Sequence, residues 1–478
     1  MKKLICLFLT FVLVLGLCAC GSSEGGSAKN AGLQVGFSRK SITPTQTGVQ
    51  IAGGDASSRL STGFLDEVAA TCIAISKGED LFLIYTMDFM VLNEGAVKAI
   101  KPVIAAATGV PEERIILNCT HTHSGVNILS TAWEGGDAYR SLVAKNSTKA
   151  AEDAIADLSP AEVHIASCET EGLAFVRHYD MLDGTTAGNG HGSLVEANIK
   201  SHSYDAANEL QAIKFVRAAE DKKDILIMSF PAHATTVNGT NRDSISACWP
   251  GATRAYVEQN SDVHCAIFQG ASGDQIPDSK IDGISAAKKD HKKYGQVLGD
   301  YALALEYTKV EGDQVVLKSW EYTGNSMKEG TEDAERMAAA SAVAAVSSQF
   351  GSSHANTAAE VAKYGFTSVY EATGLVSRAS APATRTMTLN VLQLGSDCSM
   401  VFAPYEMFGM HGEAIKEGSP FAMDFIVTCS EIYNGYFPHI EGCEQGYYEY
   451  DVTKYERGTG EKLAELYAEA LTELKNAG

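Results

Sequence analysis

The strongest constraint on the fold is a recurring pattern: a short, largely apolar run that stops abruptly in a polar loop bearing Gly or Pro. Runs at 81–89, 114–119, 225–230, 265–268 and 425–429 have this form. Stretches with helical spacing lie between them, at 95–107 (closed by Gly109-Val110-Pro111), 137–157, 250–259, 285–307 and 332–349. A continuous apolar run marks a strand buried on both faces, so helices or a second sheet must cover it. A further strand is expected at 162–168, a loop at 184–193, a hairpin from 387–394 and 400–403 through Gly395-Ser396-Asp397, and a closing amphipathic helix at 460–475. Strands interleaved with helices predict an α/β (α+β-like) fold, with mixed β-sheets flanked by helices in a single large domain. No internal repeat and no linker interrupts the chain after residue 33.

The beginning of the chain reads as an address. Lys2 and Lys3 precede an apolar run at 4–17, too short for a bilayer span of ~20 residues but suited to a signal peptide. Leu17-Cys18-Ala19-Cys20, followed by Gly21, resembles the bacterial lipobox. Residues 1–20 are therefore expected to be a lipoprotein signal peptide with its lipobox, cleaved before Cys20, whose thiol carries the lipid (palmitate). Residues 21–32, rich in Gly and Ser, would tether the domain at 33–478 to the outer, extracytoplasmic face of a cell membrane. Of the 11 cysteines, eight lie beyond this segment, at positions 72, 119, 168, 248, 265, 398, 429 and 443, and none forms a C-x-x-C pair. A zinc knuckle is excluded and buried thiols are expected.

Lys and Arg number 38 against 59 Asp and Glu, a net charge of −21, which excludes general nucleic-acid binding. Lys288, Lys289, His291, Lys292 and Lys293 read as the solvated face of a helix. The rarer chemistry falls where strands end: His121 and His123, then His233, then Asp274, and Glu406 in Ala403-Pro404-Tyr405-Glu406. Such loops are the usual place for a site in α/β folds. Two imidazoles with a carboxylate suit a catalytic zinc, which lowers the pKa of bound water to ~7. In His121-Thr122-His123, alternate residues of an extended segment share one side and can converge on one ion. The rival reading for any one of these histidines is a core or surface role. A metallo-β-lactamase is excluded, because Ser124-Gly125-Val126 follow the doublet in place of an acid and a third His.

Thr120-His121-Thr122-His123-Ser124-Gly125 resembles the signature of the neutral/alkaline, non-lysosomal ceramidase family. Other blocks follow in that family's order: Val35-Gly36-Phe37-Ser38 through Ile42-Thr43-Pro44, the run at 83–88, Ala232-His233-Ala234-Thr235 with Asn238 and Asn241, the loop at 269–277, Pro404-Tyr405-Glu406, Asn434-Gly435-Tyr436 and Tyr447-Tyr448-Glu449. The resemblance implies a Zn2+ held by His121, His233, Glu406 and Tyr436. It implies that His123 lines the substrate site, and that Arg177 and Tyr448 (or Tyr447) contact the scissile amide. Asp88 and Asp274 would orient loops. The activity implied is hydrolysis of the N-acyl linkage of ceramide or a related acylated amine. The sequence departs from the family at Ile276, where true ceramidases have Ser, at Cys248, where Asp is common, and in the expected lack of a C-terminal immunoglobulin-like domain. Three functions therefore stay open: an N-acyl amidase, a zinc hydrolase of the same fold acting on another amide, ester or lactone, and a non-catalytic surface lipoprotein that binds a ligand. For Tyr436 and Tyr448 the rival role is packing, and for Arg177 a surface ion pair.

Overall fold

The apolar runs become strands of sheets that enclose one core. The computed structural model describes residues 32–53, 59–188, 194–237, 241–279, 281, 290–441 and 447–477. In a nine-stranded mixed sheet, Val263–Gln269, Asp224–Phe230, Glu209–Arg217 and Ser159–Glu169, with the short Thr308–Lys309 beside the last, form one half, and Gln34–Ser41, Ala69–Lys77, Asp80–Met87 and Ile115–Cys119 the other. The halves are joined in strand register by Gln34 opposite Pro160 and Val35 opposite Ser159. There the sheet folds back, so that Phe37, Ile73 and Ile84 share a core with Phe215, Ile227 and Phe268. A four-stranded sheet, in the order Val315–Asn325, Thr384–Leu394, Cys398–Phe402 and Met423–Val427, adds Leu392, Met400 and Phe425 to that core. Helices Glu94–Thr108 and Gly136–Ala156 cover one outer face, Cys248–Asn260 and His291–Leu303 a second, and Gly409–Gly418 with Thr459–Ala477 a third.

Within the two large sheets three strand pairs are parallel: Asp80–Met87 with Ile115–Cys119, Asp224–Phe230 with Val263–Gln269, and Cys398–Phe402 with Met423–Val427. Parallel neighbours need a crossover. Here it is made by helices Glu94–Thr108, Cys248–Asn260 and Gly409–Gly418 respectively. The first of these starts where the Asn93 side chain accepts from the Ala96 N–H and stops at Gly109, whose φ is 72°. The carboxyl ends of the pairs meet. Thr86 Oγ1 donates to the Ile267 carbonyl at 2.6 Å, the Thr428 N–H to the Gln269 carbonyl at 2.8 Å, and Asn118 bridges Ser430. Every loop that leaves these ends opens on the same region.

Some expectations need correction. The helix expected at 285–307 is described from His291, its start capped by Asp290. Lys292 and Lys293 are exposed on it, but His291 turns inward, 3.2 Å from Asp66 Oδ2, so the solvated-face reading fails for that residue. The loop expected at 184–193 contains the strand Thr186–Gly188. Cys72, Cys119, Cys248, Cys265, Cys398 and Cys429 are buried thiols and Cys168 is half-buried, with no disulfide among the described residues. Among the described residues no helix is long and apolar enough to cross a membrane. Cys20, residues 21–31 of its tether, Lys288, Lys289, Asn238 and Cys443 lie outside the described residues.

Candidate metal centre

Strand Ile115–Cys119 ends inside the molecule and the chain turns at once, with His121 at φ 59°, a left-handed backbone uncommon outside Gly. The doublet is therefore not extended. The turn itself sets its two rings edge to face, 4.9 Å between centroids, with the Nε2 atoms 3.3 Å apart. His233, just past the end of Asp224–Phe230, brings its ring to 4.7 Å from that of His121. The ligand atoms of His121, His123 and His233 all lie within 4.8 Å of one another. Glu406 and Tyr436 arrive together because their backbones pair in a parallel bridge, the Glu406 N–H donating to the Gly435 carbonyl at 2.9 Å. Glu406 Oε2 stands 3.2 Å from His121 Nε2 and 3.0 Å from His233 Nε2. The Tyr436 hydroxyl is 3.3 Å from His233 Nε2. Gly273 makes this approach possible: a Cβ there would lie 2.6 Å from the Glu406 carbonyl oxygen.

The donor set fits a cation. His121 directs Nδ1 at the Met90 carbonyl (2.9 Å), and His233 directs Nδ1 at the carbonyls of Ser272 (2.8 Å) and Gln275 (2.9 Å). Each Nδ1 is thereby the donor, leaving the Nε2 lone pairs facing inward, as histidine ligands are commonly held. Glu406 Oε2 is buried among these nitrogens with no aligned hydrogen-bond donor. Acceptors that face acceptors at such distances call for a positive ion between them. Burial alone would raise the Glu406 pKa, but His121 and His233 hold it well below the carboxylate range. Burial, with His121 and His233 beside it, pushes His123 well below its ordinary value. Burial and Arg177 bring His233 to about 4. His121 goes the other way: burial opposes its charge, but Cys429 and Glu406 outweigh burial and raise it well above the usual range. Without a metal, then, a proton on His121 balances the buried carboxylate.

Of the remaining candidates, Arg177 is 5% exposed, so its ion pair is a buried one. Its Nε donates to Glu449 Oε1 at 2.5 Å and its Nη2 to the Gly273 carbonyl at 2.8 Å. The guanidinium lies 5.5 Å from the ring centre of Tyr436 and 5.7 Å from that of Tyr448. Tyr448 meets Tyr436 edge to face at 5.5 Å, whereas Tyr447 packs on the His178 ring at 5.0 Å and against Gly188. The structure thus brings His121, His123, His233, Glu406, Tyr436, Arg177 and Tyr448 together and turns Tyr447 elsewhere. Asp88 takes two bonds from Arg254 (2.9 and 2.6 Å) and one from the Ala69 N–H, while Asp274 accepts from the Gly409 N–H at 2.8 Å. Both tie loops together. Ile276 is buried in the two-residue strand Gln275–Ile276, opposite Phe175 and next but one to Arg177 across the pair. Cys248 is buried at the start of its helix, its Sγ 3.1 Å from Thr236 Oγ1.

Sequence reasoning missed Tyr433, whose hydroxyl donates to Glu406 Oε1 at 2.6 Å. The one signal for it was a second Tyr three positions before Tyr436 in the same loop. It also gave no role to His178 or Glu449, which back Arg177.

No protein-family model matches this sequence, and no curated protein does. Solved structures match the fold, two ceramidases among them. Neutral ceramidase from Pseudomonas aeruginosa superposes with a TM-score of 0.67 at 16% identity, over 93% of this chain and 75% of that one. A ceramidase complexed with C2 gives a TM-score of 0.66 at 14% identity, over 93% and 76%. The fold of this chain is that of the neutral ceramidases.

Proposed function

We propose that this chain is a zinc-dependent amide hydrolase of the neutral ceramidase type, acting on the N-acyl linkage of ceramide or a related acylated amine. The observation that carries the reading is the buried meeting of Glu406 Oε2 with the Nε2 atoms of His121 and His233, at 3.2 and 3.0 Å, where no hydrogen bond satisfies that oxygen. His121, His233, Glu406 and Tyr436 would hold the ion. When bound, zinc supplies Lewis acidity toward a carbonyl oxygen and makes water a better acid near neutral pH. His123, half-buried at the edge of the cluster and kept neutral, takes the proton of the attacking water and returns it to the leaving amine. Glu406 is less suited to carry that proton, since Tyr433 occupies Oε1 and two imidazoles crowd Oε2. Tyr448 and Arg177 stabilise the carbonyl oxygen as it gains charge, a role worth ~3–4 kcal/mol per donor in comparable sites. Water adds to the carbonyl carbon, the C–N bond breaks, and a carboxylate and an amine leave.

A second reading keeps the ion and changes the acyl bond to another amide, an ester or a lactone. Ile276 favours it, because its side chain brings no hydroxyl to a buried position two residues across the strand pair from Arg177. Export and a lipid on Cys20 would place either enzyme at a membrane surface, where acyl substrates concentrate.

The test is a metal assay together with a substrate panel. The purified protein should carry close to one zinc per chain, and His121→Ala should lose it. Among N-acyl sphingosines, N-acyl amino acids and simple esters, at least one should be hydrolysed, and chelator should abolish the turnover. A folded wild-type protein that takes up no zinc and hydrolyses none of the panel would reject the proposal.

A further inference from the structure

Behind the metal cluster lies a line of buried and half-buried polar groups that the chemistry above does not use. Glu449 is wholly buried, yet both its carboxylate oxygens are engaged: Oε1 with Arg177 Nε at 2.5 Å and Oε2 with His178 Nε2 at 3.1 Å. The line continues from His178 Nδ1 to the Tyr204 hydroxyl at 3.2 Å, and from that hydroxyl to Asp274 Oδ2 at 3.1 Å. Asp274 sits in the loop whose Ser272 and Gln275 carbonyls hold His233. Burying an ion pair gains little stability over an apolar pair of the same size, so its value here lies in geometry. Arg177 has a long side chain with considerable rotamer freedom, and two of its nitrogens are pinned by Glu449 and the Gly273 carbonyl. Tyr448 and Glu449 are adjacent on the short helix Tyr448–Val452, so one element sets both the phenol and the carboxylate that aims the guanidinium.

We propose that Glu449 is a positioning residue, which, anchored by His178, holds the Arg177 guanidinium beside Tyr448 in the geometry needed to receive the carbonyl oxygen of the acyl group. This rests on the reading of Arg177 as a group that meets the acyl carbonyl. Glu449 does not touch substrate. It acts through Arg177, with its charge kept by Arg177 and His178 despite burial. The design follows the general requirement that donors to a developing oxyanion be fixed before reaction.

The experiment is a double-mutant cycle on the zinc-loaded full chain, read by hydrolysis of N-dodecanoyl sphingosine and, separately, by calorimetric affinity for dodecanoate, the carboxylate such hydrolysis releases. Glu449→Gln preserves shape and removes charge. It should lower kcat at least tenfold with KM changed less than threefold and zinc content unchanged, and weaken dodecanoate binding about tenfold. Arg177→Met should lower kcat further, and adding Glu449→Gln to it should cost nothing more, since coupled residues are non-additive. His178→Gln should give a smaller loss in the same direction, and it serves alone if Glu449→Gln fails to fold. Equal losses from Glu449→Gln with and without Arg177 would overturn the positioning role, as would wild-type kinetics in Glu449→Gln beside a crippled Arg177→Met. If no amide is hydrolysed, the amidase reading fails by itself. The dodecanoate affinities still decide the role of Glu449, and equal affinity in wild type and Glu449→Gln sinks it.

Discussion

The Tyr433 hydroxyl donates to Glu406 Oε1 at 2.6 Å, a hydrogen bond that steadies the ligand carboxylate through the oxygen turned away from the imidazoles. A charge-assisted bond of this kind contributes ~1.5–3 kcal/mol, and removing the outer partner of a metal ligand typically costs 10–100-fold in metal affinity. Tyr433→Phe is therefore expected to fold normally and to release zinc to a competing chelator at a concentration one to two decades lower than wild type needs. An unchanged competition curve would show that Glu406 is positioned by its backbone bridge to Tyr436 alone. His121, His123, His233 and Glu406 were legible in the sequence because each is a metal-ligating side chain placed just beyond an apolar run. Tyr433 and Glu449 were not, because a Tyr or Glu near an end of the chain has no local mark of what it touches. Their meaning comes only from contacts with Glu406, 27 positions away for Tyr433, and with Arg177, 272 positions away for Glu449.

Helices Ala334–Phe350, Ala355–Tyr364 and Val369–Ser380 form a unit with its own small core of Ala340, Val343, Phe366, Ala372 and Leu375. The unit rests on the site through Val369–Ser380. Tyr370 meets the Tyr448 ring edge to face at 4.8 Å, and a Cβ on Gly374 would fall 2.1 Å from the Asp451 carbonyl oxygen. Gly374→Ala must then push this helix off Tyr448–Val452, the element that carries both Tyr448 and Glu449. The expected result is a loss in kcat of at least tenfold with zinc content intact and the thermal midpoint lowered by only a few degrees, because the three-helix core is separate from the main one. Full activity in Gly374→Ala would mean that Tyr448 is aimed independently of this contact. The first helix of the unit was legible from its spacing, but the two shorter ones were not. Strands buried on both faces announced themselves as apolar runs, and the crossover helices between them could be read from period and caps. Glu209–Arg217 and Val315–Asn325 escaped because polar residues break up their apolar runs: the first carries Glu209, Gln211 and Lys214, and the second leaves one face to solvent.

At the scale of the whole molecule, the cluster draws on loops that leave both halves of the folded sheet and the four-stranded sheet, so a bound ion would add a further bridge between these elements. Binding to the folded chain alone stabilises it by RT ln(1 + [L]/Kd), ~4 kcal/mol when free zinc is a thousandfold above Kd. Chelation should therefore lower the thermal midpoint of wild type by several degrees, with the shift growing as free zinc rises. His121→Ala should melt at one temperature with or without the metal. The pH dependence follows from the protons that must leave. His121 in the metal-free protein is raised above its ordinary value because Cys429 and Glu406 outweigh the effect of burial, so it holds a proton that zinc must displace. In the metal-free chain that raised pKa contributes stability that is complete below the ordinary histidine value and fades as pH rises through the higher folded one. Zinc-linked stability has the opposite slope. It is weakest in acid, where protons compete for the imidazoles, and grows as pH climbs until His121 no longer has a proton to give up. The gap between the zinc-loaded and chelated melting curves should accordingly widen from pH 5.5 to pH 8. A gap that stays constant or narrows over that range would mean that zinc does not compete with a proton on His121.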